Sequence, residues 1–329
     1  MAFRTLEQGT PLWNVRFHEQ AAPALLSGVA AHSIGRMPNP ATAAVGVLLG
    51  ALGHAEGWPV PVGGSRAITD ALAADLLAHG GRILTSHPIE DVRQLGEHEV
   101  KLFDTSSREL VRIAGAVLPW QYRRVLSRFR YGDAATKVDF VLDGAIPWAD
   151  ERVAQAPTVH LGGSRAAGAA AELAVSRGSD PERPFVLLAQ PAQWDPDRNP
   201  GVHAVGSYVH VPRGSDRDMS DPVIAQIERY APGFRERIVA HRVTTAADLA
   251  TYNRNYVGGD FSAGAVSVRQ LLFRPTLRAD PWRTPARGIY LCSSSTAPGP
   301  GVHGLSGWYA ARSALRHEYG LDDPALGVE

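Results

Sequence analysis

The sequence predicts a mixed α and β fold (α+β) of about two domains. Three observations carry this: the chain length, a strand–turn–helix junction near the C-terminus, and a central run that alternates apolar and polar residues. With 329 residues, 44% hydrophobic and 20% charged, the chain can bury a sizeable core and exceeds the usual length of one domain. Formal net charge is zero, so there is no global basic field to draw in nucleic acid and no acidic tail.

Taken in order, the first apolar run is Ala41 to Leu52, ATAAVGVLLGAL, far short of the roughly 20 residues that span a bilayer. It predicts a buried core helix, with an apolar channel wall or a peripheral membrane contact as the sharper alternative. In Gly57 to Val92, Gly63 and Gly64 make a turn, and Ile68, Leu72, Leu76 and Leu77 recur at helical spacing. Gly80 and Gly81 stop that helix, and Ile83 to Val92 reads as a strand. Gly115 to Pro119 reads as a short apolar strand. After it, Arg123, Arg124, Arg128 and Arg130 lie among Trp120, Tyr122, Phe129 and Tyr131. Basic residues among aromatics can bind nucleic acid, but one short run on a neutral chain favours a solvated helix face.

Two strands follow, Thr136 to Trp148 and Ala156 to Gly163, joined by a loop. Val138, Phe140 and Leu142 alternate with Lys137, Asp139 and Val141, which suits a sheet with one buried face. The most informative segment is Gly288 to Leu315. Ile289 to Cys292 forms a short strand, Ser293 to Thr296 break it with small hydroxyl side chains, and Pro298, Gly299, Pro300 and Gly301 forbid regular structure. A helix can start only near Gly304 or Leu305. Such a junction offers unpaired N–H groups and the positive end of a helix dipole to an anion or an electron-rich ring.

Several chemistries are disfavoured. Cys292 is the only cysteine, which rules out an internal disulfide and a cysteine-based metal site and makes a reducing cytoplasm the natural setting. His32, His54, His160, His203, His210 and His303 show no ligand spacing beside a carboxylate, so no metal site is expected. No serine lies in GxSxG and no Walker A sequence is present. Lys101 and Lys137 are the only lysines, which leaves few candidates for covalent amine chemistry.

The C-terminal segment, with its PGxGVxG turn, resembles the flavin motif of the phytoene-desaturase-like FAD oxidoreductases. The likeness extends through Gly57 to Val92 and through RPFVLLAQP, GSYVHVPRGS, QIERYAPGF, YNRNYVGGDFSAG and RQLLFRPTLR, in order. It implies a partial FAD-binding lobe plus a substrate lobe with a mixed β-sheet and flanking helices. By position it sets Gly301, Val302, His303 and Gly304 at the flavin ring, Ser293 and Ser294 near the ribityl chain, and the backbone around Ile89 at the adenine. Residues 1–55 become substrate-lobe helices, 56–119 an FAD-lobe segment, 120–285 the substrate lobe, and 286–329 the closing FAD-lobe strand and helix. Trp148, Tyr208, His210, Tyr252 and Tyr256 are candidates to line an apolar substrate cavity; large aromatics in strands also simply fill cores.

Enzymes of this kind begin with a strand, a GxGxxG turn and a helix that hold the FAD pyrophosphate. No such fingerprint is read here: Gly63 and Gly64 lack the third spacing, and Gly258, Gly259 and Gly264 follow no apolar strand. The resemblance then implies a chain that lacks the N-terminal region, as a truncation or as one half of a split enzyme. The expected function is the C-terminal part of an FAD-dependent oxidoreductase that moves hydride from an apolar substrate to flavin. The alternative is a non-catalytic protein that binds an apolar ligand, or a subunit whose partner chain supplies the dinucleotide-binding motif.

Overall fold

The computed structural model describes residues 2–322. In chain order its helices are α1 (Ala2–Gln8), α2 (Ala21–Ala31), α3 (Pro40–Ala55), α4 (Arg66–Ala78), α5 (Ser107–Ala114), α6 (Trp120–Leu126), α7 (Arg165–Ser176), α8 (Ser220–Glu228), α9 (Ala246–Tyr252), α10 (Val268–Leu272) and α11 (Leu305–Ala314). Its strands are β1 (Lys101–Phe103), β2 (Ala134–Leu142), β3 (Thr158–Leu161), β4 (Val186–Ala189), β5 (His203–Val211), β6 (Ile238–Thr244) and β7 (Ile289–Leu291). The chain forms two compact units, Met1–His87 with Ala135–Ala246, and Pro88–Ala134 with Ala247–Glu329. This is a division by compactness, whereas the four expected segments divide the chain by flavin contact.

The first unit holds a five-stranded sheet in the order β3-β4-β5-β2-β6. The pairs β2/β6, β3/β4 and β4/β5 are antiparallel. The alternation read in β2 is what the sheet buries: Val138, Phe140 and Leu142 are within the core while Lys137 and Val141 face solvent. On the same buried face lie Val186, Leu188 and Val209, and α8 packs there through Val223 and Ile227. Phe234 closes the face edge-on against Phe140, with ring centroids 5.3 Å apart. The two strands expected to be joined by a loop are β2 and β3, consecutive in the chain but not neighbours in the sheet. β4 and β5 lie between them, because a strand's partner is chosen by long-range pairing that local sequence does not encode.

Within this unit Arg165, the first residue of α7, ties the N-terminal helices to α7. Only 3% exposed, it donates from Nε to the Ser27 hydroxyl at 2.8 Å and the Pro23 carbonyl at 3.0 Å. Its Nη1 reaches the Trp13 carbonyl at 2.6 Å, and Nη2 reaches Gln8 Oε1 at 3.0 Å. The guanidinium also lies 4.6 Å from the Trp13 ring centroid. Burial pulls its pKa down to about 10, and the carbonyl oxygens offset part of that desolvation.

The helix predicted over Ile68 to Leu77 is α4, stopped as expected where Gly81 N–H donates to Leu76 O at 2.9 Å and Gly80 adopts φ 79°. None of its residues is buried. The strand expected at Ile83–Val92 does not form: among the described residues nothing pairs with it, and a strand without a ladder leaves its backbone to water. Its far end is instead a capped turn, in which Gln94 Oε1 accepts from Glu90 N–H at 2.7 Å and Asp91 N–H at 2.9 Å. The Ala41–Leu52 run is helical in α3, but the burial expected of it is confined to a stripe of small residues, Ala41, Thr42, Ala43 and Gly46. Leu48 and Leu52 are 50% and 47% exposed.

The second unit pairs β1 with β7 in parallel, Lys101 to Ile289 through Phe103 to Leu291. Beneath them Val92, Phe103, Leu110, Ile113, Leu118, Tyr122, Leu126 and Leu291 form one buried cluster. The strand expected at Gly115–Pro119 is not one. Val117 and Leu118 N–H both donate to Ala114 O, at 3.1 and 3.2 Å, so the segment wraps the end of α5 and sends Leu118 into the core. A short apolar run cannot by itself distinguish these outcomes. The arginine run lies on and after α6, which buries Tyr122 and Leu126 and leaves Arg123 and Arg124 exposed.

Candidate functional site

At the end of β7 the small hydroxyl residues knit the chain inward. Ser293 Oγ donates to Thr105 O at 2.6 Å, Ser295 Oγ to Ala263 O at 2.9 Å, and Thr296 Oγ1 to Ser293 O at 2.7 Å. A chain leaving a strand has unpaired carbonyls, and short hydroxyls satisfy them locally. Ser294 is half-buried and its own hydroxyl has no partner among the described residues. Just before these residues Cys292 donates its N–H to Phe103 O at 2.9 Å, and burial, assisted by the Asp104 charge, pushes its thiol up to about 12.

Arg274 fixes this strand end from below. It is 2% exposed, and its Nε donates to Ser294 O at 2.7 Å while Nη2 reaches Ser262 O, Ala263 O and Gly264 O at 3.1, 3.2 and 3.3 Å. Asp260, equally buried, accepts from the N–H groups of Gly132, Ser262 and Gly264 at 2.7, 2.8 and 3.0 Å. Burial lowers the Arg274 pKa to about 10 and raises that of Asp260, the two charges partly opposing both effects. Gly264 must be glycine here. Its φ is 142°, and a Cβ would lie 2.5 Å from the Phe129 ring and 2.8 Å from Arg274 Nη2.

Beyond it the chain turns through Ala297–Gly304 and enters α11, whose start at Leu305 agrees with the sequence expectation. Gly304 supplies the left-handed N-cap at φ 62°. His303 folds back, and its Nδ1 accepts the Leu305 N–H at 3.0 Å, so the ring is committed to the helix start. Val302 is 89% exposed, and the N–H groups of Ser306 and Gly307 have no intrahelical acceptor. The turn is thus an open, positively polarised pole set on a rigid base. Gly299, Gly301 and Gly304 also carry the GxGxxG spacing itself, a match the sequence reading passed over. Cys292–Pro298 intervenes between strand and first glycine, whereas the dinucleotide fingerprint turns directly off its strand.

These residues fit a flavin edge in part. The open turn and the free Ser294 hydroxyl suit it, while the Ser293 hydroxyl is spent on Thr105. Ile89 is half-buried against the core cluster of the second unit. In that unit Tyr256 is half-buried, but Tyr252 is 83% exposed at the end of α9. In the first unit Trp148 is 9% exposed and its indole N–H donates to Gln190 Oε1 at 3.0 Å.

Tyr208 and His210 do come together, with ring centroids 5.7 Å apart. His210 Nδ1 meets Glu172 Oε1 at 2.7 Å, the two side chains 3% and 1% exposed. Burial, with Glu172 nearby, pushes the Tyr208 hydroxyl up to about 12. Around them Phe185 stacks on His210, and His160 lies between Phe185 and His32, its centroid 5.0 Å from that of His32. Burial, then the neighbouring histidines, brings His160 down to about 4. Glu172 escaped the sequence reading because it lies on a helix remote in sequence from His210, and Asp260 because its loop has no periodic pattern. No group of three or more metal-ligating side chains occurs among the described residues. No helix among them is long and apolar enough to cross a membrane.

No family model matches the chain. It is similar to pyridine nucleotide-disulfide oxidoreductase domain-containing protein 2 of Rattus norvegicus, 28% identical over 328 residues that cover 86% of this chain and 56% of that protein. A shorter stretch is similar to the lycopene-forming phytoene desaturase of Pantoea ananas, 34% identical over 101 residues, 30% of this chain and 20% of the desaturase. Among solved structures, an oxidoreductase from Methanosarcina mazei shares the fold at a TM-score of 0.55 and 12% identity, over 89% of this chain and 64% of that one. The chain therefore shares a fold of α and β elements with that oxidoreductase, and the sequence likeness runs to proteins of oxidoreductase type. The chain spans a little over half the length of the rat relative it matches.

Proposed function

We propose that this chain supplies the flavin-ring end of an FAD site and the substrate lobe of an FAD-dependent oxidoreductase of the phytoene-desaturase-like kind. The observation that carries the reading is the turn Ala297–Gly304. It presents a left-handed glycine cap, an exposed Val302 and unpaired N–H groups at the start of α11 on a strand end locked by Arg274. Bound there, flavin would supply the acceptor for hydride taken from an apolar substrate. The chain's own part is to stabilise negative charge at the ring's pyrimidine edge with the α11 N-terminus, which gains from being fixed in advance. His303 contributes through the cap it makes, and Ser294 offers a hydroxyl toward the ribityl chain. In the substrate lobe, Glu172 orients His210 beside Tyr208.

The test is titration of FAD followed by flavin absorbance and fluorescence. Binding with a shifted band, weakened tenfold or more in Gly304→Val with the circular dichroism unchanged, supports the reading. The reading fails if no flavin is retained by the chain alone or in the presence of the part of the rat relative that this chain does not match.

A second reading is favoured by α4. A helix of 13 residues is marginal in water on its own, yet Leu72 and Leu76 are 67% and 48% exposed. On this reading the chain is a subunit whose partner polypeptide covers that face and supplies the dinucleotide turn. Flavin binding that appears only when the second polypeptide is added selects it.

A further inference from the structure

The first unit carries a solvent-open cleft of about 490 Å³ between α7, the Pro181–Arg183 segment and the end of α8. Its volume lies within the range of small-ligand sites, about 300–1,000 Å³. Its lining is apolar at Ala170 and Ala174 of α7 and at Pro181. The exposed Arg183 and Arg229 and the half-buried Tyr230 also line it. Arg183 and the Tyr230 hydroxyl have no partner among the described residues. Arg229 Nη1 has only the neutral Gln226 Oε1, at 3.5 Å. Glu182, the one carboxylate lining the cleft, is already paired with Arg217 at 3.3 Å. Beside the hydroxyl the cleft floor turns at Gly163, whose φ of 71° is one that favours glycine.

The cleft thus joins apolar surface to two guanidinium groups that have no carboxylate within ion-pair distance among the described residues. An apolar body gains roughly 25 cal/mol for each Å² it removes from water. A guanidinium offers paired donors that match a carboxylate or phosphate. A cation would be repelled, and a neutral apolar molecule would leave both arginines without a counter-charge.

We propose that this cleft is a binding site for a small amphipathic organic acid. The apolar body lies on the alanine face of α7, and the oxyanion headgroup is held by Arg183 and Arg229 with the Tyr230 hydroxyl as a further donor. None of these residues is among those assigned to flavin or to the hydride-transfer substrate, so the site stands independently of that function.

The test is isothermal titration of the full chain with decanoate, decyl phosphate, 1-decanol and decyltrimethylammonium, each below its micelle concentration. Decanoate, decyl phosphate or both bind at least tenfold more tightly than decanol, and the preferred one names the headgroup. The ammonium compound does not bind. The double variant Arg183→Gln/Arg229→Gln loses that preference, and Ala170→Phe, which fills an exposed part of the cleft, abolishes binding with an unchanged circular dichroism spectrum. Equal affinity for decanoate, decyl phosphate and decanol, binding of none of the probes, or anion binding unaffected by both variants overturns the proposal.

Discussion

Arg274 shows how one side chain can decide a loop. Its donors hold five backbone carbonyls across Ser262–Ala265 and Ser294, and a buried acceptor left unpaired costs on the order of 1–3 kcal/mol. Arg274→Met strands those carbonyls and deprives buried Asp260 of its opposing charge. The expected loss is about 3–5 kcal/mol, read from denaturant unfolding. Gly264→Ala meets both the left-handed φ and the Phe129 ring and is expected to cost about 1–3 kcal/mol in the same measurement. Cys292, with its thiol pushed up to about 12, should resist aromatic disulfide reagents at pH 8 in the folded chain and react at once after unfolding. None of these roles could be read from residue type, since arginine is normally solvated and a loop glycine normally only turns. What makes them special is the burial that distant segments impose.

Among the elements, α4 shows the limits of periodicity. Ile68, Leu72 and Leu76 gave the helix correctly, because spacing and the Gly80–Gly81 stop are local properties. Periodicity says that a face is apolar and leaves open what covers it. Here Leu72 is 67% exposed, so Leu72→Glu with Leu76→Glu should change the chain's own unfolding free energy by no more than about 0.5 kcal/mol per site. The same change should weaken association with the second polypeptide in sedimentation. A large loss of stability instead would show that the face is packed. Ile83–Val92 failed as a strand for a related reason: its residues permit extended backbone, but a ladder needs a neighbour. The β7–α11 junction was legible because Pro298, Gly299, Pro300 and Gly301 act on their own backbone.

Over the whole molecule, pH should expose the histidine cluster of the sheet. His160 falls from an ordinary 6.5 to about 4, by burial and then by the nearby His32 and His210. The unfolded chain takes up a proton between those values that the folded chain refuses. Stability from this group is therefore complete above pH 6.5 and is lost as pH falls toward 4. Melting temperatures at pH 7, 5.5 and 4.5 should decline more steeply for the native chain than for His160→Gln, and parallel slopes would refute the assignment.

By itself the sequence determined the mixed α and β class, the buried face of β2, the helix α4 and the turn into α11. Each rests on periodicity or on backbone restrictions within a few residues. Only the tertiary structure decided the sheet order, the buried hubs Arg165 and Arg274, the Glu172–His210 pair and the inward turn of the Ser293 hydroxyl. These arise from groups far apart in the chain, matched by burial, where an unpaired charge or carbonyl costs most.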